Sequence, residues 1–401
     1  MKDHSESHEK TFFRQNPAKG IIMSGLNGKA LKVSKADIPD LAAIKAILPH
    51  QCLNCSTNTS LAYLAQSLTI QAIVISIGMH IPLNLEILPV WVFYWLVSGT
   101  TAMGLWVIAH ECGHGAFSKN RKLETFVGYV LHSMLLVPYF SWQRSHLVHH
   151  TYTNHIANGE THVPLVIRGN GIDEQAGGEK DIAIAGRLGK VQYGVFQLVL
   201  HLVFGWPAYL LTGKTGGPKY GLSNHFWPIA PFSKKLWTEK WINKVWLSDW
   251  GICLALFGLI AWSLHDGFIT VFTIYIAPLL VVNIWLVTYT WLHHTDTDVP
   301  HLSSSDFSQL RGAFLSIDRP YGKVIDFLHH KIGSTHAIHH IAPWMPHYHA
   351  GEATIALKNA FPKVYLYSQT PILQALWLIS TNCIAVTREE NSGRYVWKNP
   401  W

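Results

Sequence analysis

Long apolar stretches separated by short turns dominate the pattern of this 401-residue chain. Residues 61–81, 87–109, 246–264 and 268–292 are each close to or above the roughly 20 apolar residues that a helix needs to cross a bilayer. The first two stretches are joined by a very short turn, and so are the last two. The pattern therefore predicts four membrane-spanning helices arranged as two helical hairpins.

Two further apolar stretches compete with these four. Residues 125–140 are shorter and contain Pro138, and residues 192–212 are long enough but contain Pro207. If residues 192–212 also crossed, the number of spans would be odd and the C-terminal third would emerge on the opposite side. We therefore expect both stretches to be helices that lie at the membrane interface or pack on protein.

The positions of the basic residues predict the orientation. All 31 Lys and Arg residues lie in segments 1–60, 119–244 and 311–401, and none lies in 61–118 or 245–310. Basic residues concentrate on the cytoplasmic side of membrane proteins. Both termini and the large central segment are therefore expected to be cytoplasmic, with neither hairpin turn on that side.

The composition agrees with a membrane protein. Hydrophobic residues make up 49% of the chain and charged residues only 14%, against about 25% charged residues in soluble domains. Five cysteines are too few for a disulfide scaffold. The net charge of +7 suits anionic membrane lipid. The sequence has no basic stripe with interleaved aromatic residues, which is the pattern that would indicate nucleic-acid binding.

The expected fold is therefore an all-α integral membrane protein, with two transmembrane helical hairpins below a cytoplasmic helical cap. Its divisions would be a polar cytoplasmic N-terminal segment at 1–59, a membrane domain at 60–380 and a C-terminal tail at 381–401.

Twenty-five histidines are present, and eight of them form three clusters that indicate a metal site. Residues three and four apart share one face of a helix, so each cluster projects its imidazoles from a single stripe. Eight imidazoles exceed what one ion with open positions could use, which implies two metal ions. Imidazole suits several metals, so the residues alone do not identify the metal. The clusters are His110 and His114, then His146, His149 and His150, and finally His336, His339 and His340.

Two other cysteine and histidine patterns are weaker. The first cluster also fits the HExxH pattern of zinc proteases, but a protease would leave the other two clusters unexplained. Cys52 and Cys55 have a CxxC spacing with no second pair, and reduced cytoplasmic thiols are expected there.

The segments HECGHGAFS at 110–118, PYFSWQRSHLVHH at 138–150, and GSTHAIHH with PWMPHYHA at 333–350 resemble the membrane fatty acyl desaturases. The similarity is to the methyl-end group of Δ12 and ω-3 enzymes, and it also includes WLHHTDTDVPH at 291–301 and RGAFLSIDRPYG at 311–322.

This resemblance implies an enzyme that inserts a cis double bond into a fatty acyl chain, using O₂ and two electrons at a non-haem centre of two Fe ions. It implies that the eight clustered histidines are the catalytic metal ligands, and that His294 is a ninth ligand. Candidates for contacts behind the ligands are His330, Glu111, Asp318 and Asp326. Candidates for the wall of an acyl channel are Trp106, Trp142, Trp285 and Trp291.

The resemblance also implies the partners of the enzyme. Electrons would come from an external donor, either cytochrome b5 with its reductase or ferredoxin, because no fused cytochrome b5 motif is present. The substrate would be a fatty acyl lipid, and the location would be the endoplasmic reticulum in a eukaryote.

Regioselectivity is the least determined property. The segments around the third cluster resemble ω-3 enzymes, which favours ω-3 desaturation. A Δ12 (ω-6) desaturase of oleoyl chains and a related hydroxylase or acetylenase remain alternatives. A membrane metal transporter is a distant one, because it would place its histidines near mid-bilayer.

Overall fold

The computed structural model describes residues 21–23 and 33–401, and helices dominate it. In chain order the helices are α1 (Leu41–Ile47), α2 (Thr57–Gly78), α3 (Leu88–His114), α4 (Arg121–Met134), α5 (Tyr139–Thr151), α6 (Gly178–Leu188), α7 (Lys190–Thr212), α8 (Glu239–Asp266), α9 (Phe268–His294), α10 (Gln309–Phe314), α11 (Lys323–Leu328), α12 (His336–Ile341), α13 (His347–Ala360) and α14 (Ile372–Asn382).

Two small sheets accompany the helices, so the expectation of an all-α fold is incomplete. One sheet is parallel, in the order β1 (Ile21–Met23), β4 (Leu366–Ser368), β3 (Ile317–Asp318). The other is antiparallel, in the order β2 (His301–Leu302), β6 (Arg394–Lys398), β5 (Ala385–Arg388). Strands of two to five residues, most of which pair across long sequence separations, leave little local pattern. The segment expected to be a tail thus supplies two strands of a sheet.

Four of the long helices coincide with the four predicted spans. These are α2, α3, α8 and α9, and α7 is a fifth helix among the described residues that is long and apolar enough to cross a membrane. Apolar side chains such as Ile77, Phe93, Leu254 and Phe257 are well exposed along these helices. Such exposed apolar surface is what a lipid-facing protein presents.

A sharp bend replaces the single helix expected at residues 125–140. Helix α4 ends at Met134 and α5 begins at Tyr139, and the two are inclined by 104°. Leu136 adopts a left-handed conformation with φ 53°, and Val137 N–H bonds back to the His132 carbonyl at 2.8 Å. Pro138 then cannot continue a helix, because it lacks an N–H donor. The bend turns α5 away from α4.

Helix α3 lies at the centre of the bundle and is buried almost continuously from Ser98 to Cys112. It packs against α9 at Gly99, where a side-chain methyl group would overlap Val281 and the carbonyl of Pro278. The absence of a side chain therefore lets the two helices approach closely. Small residues commonly serve this purpose between membrane helices.

We predict that Gly99→Ala lowers the thermal stability of the detergent-purified protein, because α3 and α9 must separate to accept the methyl group. Overpacking of this kind costs about 1–3 kcal/mol. Gly258→Ala is the matched control on α8, since a methyl group there meets nothing within 4 Å. We expect that control to melt at or slightly above the wild-type temperature, and an equal loss in both variants would contradict the close packing.

Candidate metal centre

The three histidine clusters and His294 converge because four helices present them at one place. The first cluster ends α3, and His294 is the last residue of α9. The second cluster lies in the last two turns of α5, which the bend after α4 directs here, and the third forms most of α12. The nine imidazoles form two groups, within each of which the Nε2 atoms face one another.

The first group contains five imidazoles. Its Nε2 atoms follow one another at distances of 2.9 Å from His339 to His110, 3.1 Å to His114, 3.0 Å to His146 and 3.1 Å to His150. Each of the three sequence clusters contributes at least one member. The group therefore joins α3, α5 and α12.

The second group contains four imidazoles. Its Nε2 atoms lie 3.1 Å apart between His149 and His294, 3.0 Å between His294 and His336, and 3.0 Å between His336 and His340. His294, which the resemblance implied as a ninth ligand, thus lies among the imidazoles of the second group. It also links α9 to α5 and α12.

Helical spacing explains how the sequence clusters divide between the groups. The pairs His146 with His150 and His336 with His340 are four residues apart, and each pair stays within one group. His149 and His339, at the intervening position, each point to the other group. Two residues four positions apart are rotated by about 40° from each other around a helix. His149 and His339 each directly precede the last histidine of their cluster and are rotated by about 100° from it.

The spacing of the nitrogens fits two metal ions. The Nε2 of a neutral imidazole carries either one hydrogen or one lone pair, so His110 Nε2 cannot bond to both of its close Nε2 neighbours. Two nitrogens that bind one ion at right angles, at about 2.1 Å each, lie about 3 Å apart. Burial also lowers the pKa of His336, His339 and His340 well below the ordinary value. These imidazoles are therefore neutral, with a lone pair to offer.

One hydrogen bond fixes the tautomer of His340. The Thr153 hydroxyl donates to the carbonyl of His149 at 2.6 Å, so it accepts from Nδ1–H of His340 at 3.2 Å. His340 Nε2 then carries the lone pair that faces its group. Across residues 33–401 no carboxylate bonds to any of the nine imidazoles. Four Nδ1 atoms are buried without a hydrogen-bond partner, those of His110, His150, His294 and His336.

Asp318 and Glu111 were expected to hydrogen-bond to the metal-binding imidazoles. Both instead accept hydrogen bonds from backbone N–H groups. Asp318 accepts from the N–H of Ala337 at 2.7 Å and from the Tyr365 hydroxyl at 2.7 Å, and burial raises its pKa to about 7. Glu111 accepts from the backbone N–H of His347 at 2.8 Å. Both carboxyl groups thus anchor the chain around the third cluster.

The other two candidates lie farther out. His330 Nε2 is 3.0 Å from the Ser67 hydroxyl, and its ring lies against that of His347. Asp326 is half-buried on α11, where its backbone carbonyl accepts from Lys331 N–H. Neither residue contacts the nine imidazoles directly.

An apolar cavity reaches the imidazoles. Trp106 and Trp142 line it, as the channel hypothesis expected, together with Leu286 and the ring of Trp206. Trp291 lines a neighbouring cavity that shares four residues with the first, namely His162, His201, Gly205 and Thr215. Trp285 lines neither of the two cavities, and its indole N–H donates to the Thr100 hydroxyl at 2.9 Å.

The fatty acid desaturase family model matches residues 89–371, a range that includes all nine imidazoles. The chain belongs to the fatty acid desaturase family. It is 36% identical over 369 residues to a Delta(12)-fatty-acid desaturase of Vernicia fordii, covering 90% of this chain and 91% of the relative.

Two further relatives agree. An omega-6 fatty acid desaturase, an endoplasmic reticulum isozyme of Glycine max, is 35% identical over 360 residues, with 88% of each chain covered. A Delta(12) fatty acid desaturase of Mortierella alpina is 35% identical over 350 residues, with 85% and 86% covered. The resemblance to a membrane fatty acyl desaturase, an O₂-dependent enzyme, is therefore confirmed. These names support the Δ12 alternative rather than the favoured ω-3 interpretation.

The structure adds a buried polar network to the cavity wall of this desaturase that the sequence did not indicate. The Tyr209 hydroxyl lies 2.7 Å from Glu160 Oε1 and 2.7 Å from the Ser145 hydroxyl, which is 3.1 Å from His225 Nε2. Burial raises the pKa of Glu160 well above its ordinary value, so a protonated carboxyl is favoured there. The four residues are scattered over 80 positions and form no motif, and only the fold brings them together.

We predict that Asp318→Ala destabilises the desaturase and loosens α12, because two buried donors lose their acceptor. Such a loss costs about 1–3 kcal/mol. Asp318→Asn keeps an oxygen for the Ala337 N–H and should retain most of the stability. Thermal melting and metal content of the purified variants test this, with Asp326→Ala as a control expected to change neither. A wild-type melting temperature for Asp318→Ala would contradict the anchoring role.

Proposed function

We propose that this desaturase inserts a cis double bond at the Δ12 position of an oleoyl chain in a fatty acyl lipid. The names of its relatives support this position over ω-3. The observation that carries the desaturase chemistry is the pair of imidazole groups at the end of an apolar cavity. An apolar cavity suits an acyl chain, and polar groups are concentrated where the reaction would occur.

Two iron ions are the proposed occupants of the imidazole groups. His110, His114, His146, His150 and His339 would hold one ion, and His149, His294, His336 and His340 the other. Iron bound there, with O₂, two electrons from the donor and two protons, would supply the oxidising power to remove two hydrogens from adjacent methylene groups, and both oxygen atoms would leave as two water molecules. Neutral imidazoles suit this task, since they bind metal without an oxidisable thiol.

The residues of the chain supply placement and exclusion of water. Trp106 and Trp142 form the wall beside the first group, and Leu286 extends the apolar surface away from it. A protonated Glu160, held by Tyr209, keeps this wall free of net charge where an acyl chain would pass. The depth to which the acyl chain enters the cavity before its methyl end meets the wall would then set the position of the double bond.

The proposed topology has four spans, with both termini and the metal centre on the cytoplasmic side. The C-terminal ends of α3 and α9 both reach the metal centre, and α8 and α9 form a hairpin that returns to its starting side. A crossing by α7 would need a further crossing to bring the chain back to that side. These facts support an α7 that lies along the interface.

The proposed electron donor is external, either cytochrome b5 with its reductase or ferredoxin. The basic residues assigned to the cytoplasmic side favour an acidic partner. In a eukaryotic cell the proposed location is the endoplasmic reticulum, which the name of the Glycine max relative also supports.

We predict that a host lacking polyunsaturated fatty acids, supplied with oleate, accumulates linoleate when it expresses this chain. Gas chromatography with mass spectrometry of total fatty acids measures the product and the position of its double bond. A parallel culture supplied with linoleate should form no α-linolenate. The reverse pattern would establish ω-3 activity, and a hydroxylated or acetylenic product would refute the desaturase proposal.

We predict that His339→Ala abolishes desaturation while the protein still inserts into membranes, because the first group loses an imidazole that joins α12 to α3. Iron content of the purified variant should fall with the activity. His265→Ala is the matched control, since His265 is an exposed imidazole at the turn between α8 and α9. Normal product from His339→Ala would overturn its assignment as a ligand.

A further inference from the structure

A separate cluster of metal-binding side chains lies outside the two imidazole groups. Cys52 lies in a 3₁₀ turn at His50–Leu53, whereas His349 and Glu352 lie on the first turns of α13. One ligand atom from each residue lies within 4.8 Å of the other two. His349 and Glu352 are three positions apart, so they share one face of α13. The fold thus brings together a thiol, an imidazole and a carboxylate from segments about 300 residues apart.

The carboxylate of this cluster is held in one orientation. Gln51 Nε2 donates to Glu352 Oε1 at 2.7 Å, which leaves Oε2 facing the Cys52 sulfur at 3.9 Å. The Cys52 side chain is fully buried, yet the carbonyl oxygen of His349 is also 3.9 Å from its sulfur. The buried thiol therefore has only long contacts, although a carboxylate faces it.

The ligand chemistry favours zinc. Zinc binds thiolate at about 2.3 Å and imidazole or carboxylate at about 2.0–2.2 Å, so ligand atoms around it lie about 3.5 Å apart. The 3.9 Å between sulfur and carboxylate oxygen is close to that value. Burial and the charge of Glu352 raise the pKa of Cys52 to about 11, and a bound cation reverses this effect by deprotonating the thiol. Burial also lowers the pKa of His349, which keeps its imidazole available.

The neighbouring cysteine takes no part in this cluster. The Cys55 thiol donates to the carbonyl of Ala116 at 3.1 Å, on the approach to α4. The CxxC spacing therefore does not form a dithiol site. Cys55 instead offers a matched control three residues away from Cys52.

We propose that Cys52, His349 and Glu352 bind a zinc ion, with water as the fourth ligand, at a site separate from the desaturation centre. The ion would join the N-terminal segment to α13, where the Tyr348 hydroxyl already accepts from Ser56 N–H at 2.8 Å. Cys52 packs in one apolar cluster with Ile338 of α12 and Ala353 of α13. The zinc site would thereby brace the helix that carries the third histidine cluster.

Cobalt titration of the full-length, iron-loaded protein in detergent tests this proposal. A cobalt–thiolate bond gives a charge-transfer absorption in the near ultraviolet that imidazole ligands alone do not produce. We expect one equivalent of Co²⁺ to produce this band in the wild type and Zn²⁺ to bleach it. Cys52→Ser should lose the band, and Cys55→Ser should keep it.

Two further variants keep the test decisive if the buried Cys52→Ser protein fails to fold. Glu352 is exposed and His349 is partly exposed, so Glu352→Gln and His349→Ala should fold, and each should bind Co²⁺ at least tenfold more weakly. Zn²⁺ should raise the melting temperature of the wild type but not of these variants, because a ligand that binds only the folded state stabilises it. Absence of the band in the wild type, or undiminished affinity in both variants, would overturn the zinc site without affecting the desaturation assay.

Discussion

The mutual approach of nine imidazole nitrogens, seven of them in buried residues, is the interaction on which the rest of this desaturase depends. Neutral imidazoles held about 3 Å apart cannot satisfy one another by hydrogen bonding alone, since each Nε2 has a single hydrogen or lone pair. Burying them unpaired is costly. A cation in each group would resolve the conflict, which would link metal binding to the folding of this region.

That requirement constrains the helices around the metal centre. Helix α3 needs a glycine at position 99 to lie close to α9, because the ends of both helices must reach the same centre. Helix α5 needs the sharp bend after Met134 to arrive from the side. Helix α12 is only six residues long and depends on Asp318 to hold its first turn. Packing, bend and anchor thus serve a single arrangement of ring nitrogens.

Much of this arrangement could be predicted from the sequence, and the reasons are physical. Long apolar runs located α2, α3, α8 and α9, because crossing a bilayer demands length and apolarity together. Imidazoles at helical spacing located eight of the nine residues that converge. His294 followed only from the family resemblance, since a histidine at a helix end has no distinctive spacing. The predicted helix at 125–140 was wrong because the break at Leu136 and Pro138 outweighed the apolar run.

Other features depend on contacts between distant segments, which leave no local pattern. The network of Glu160, Tyr209, Ser145 and His225 draws on four separate segments, two helices and two loops. Cys52 was placed in a CxxC pattern, but the folded chain gives it His349 and Glu352 as neighbours instead. The ω-3 interpretation rested on short segments beside the third cluster, whereas similarity over nearly the whole length supports Δ12.

The division of α5 between the two imidazole groups has a consequence for the evolution of the enzyme. His149 and His150 are consecutive, yet they belong to different groups. Each added or deleted residue rotates the rest of a helix by about 100°. A single-residue insertion between Tyr139 and His146 would therefore misdirect every ring beyond it, whereas an insertion in a surface loop between helices would leave this register unchanged. Related genes should accordingly differ in length between these helices while the helices themselves keep a constant register.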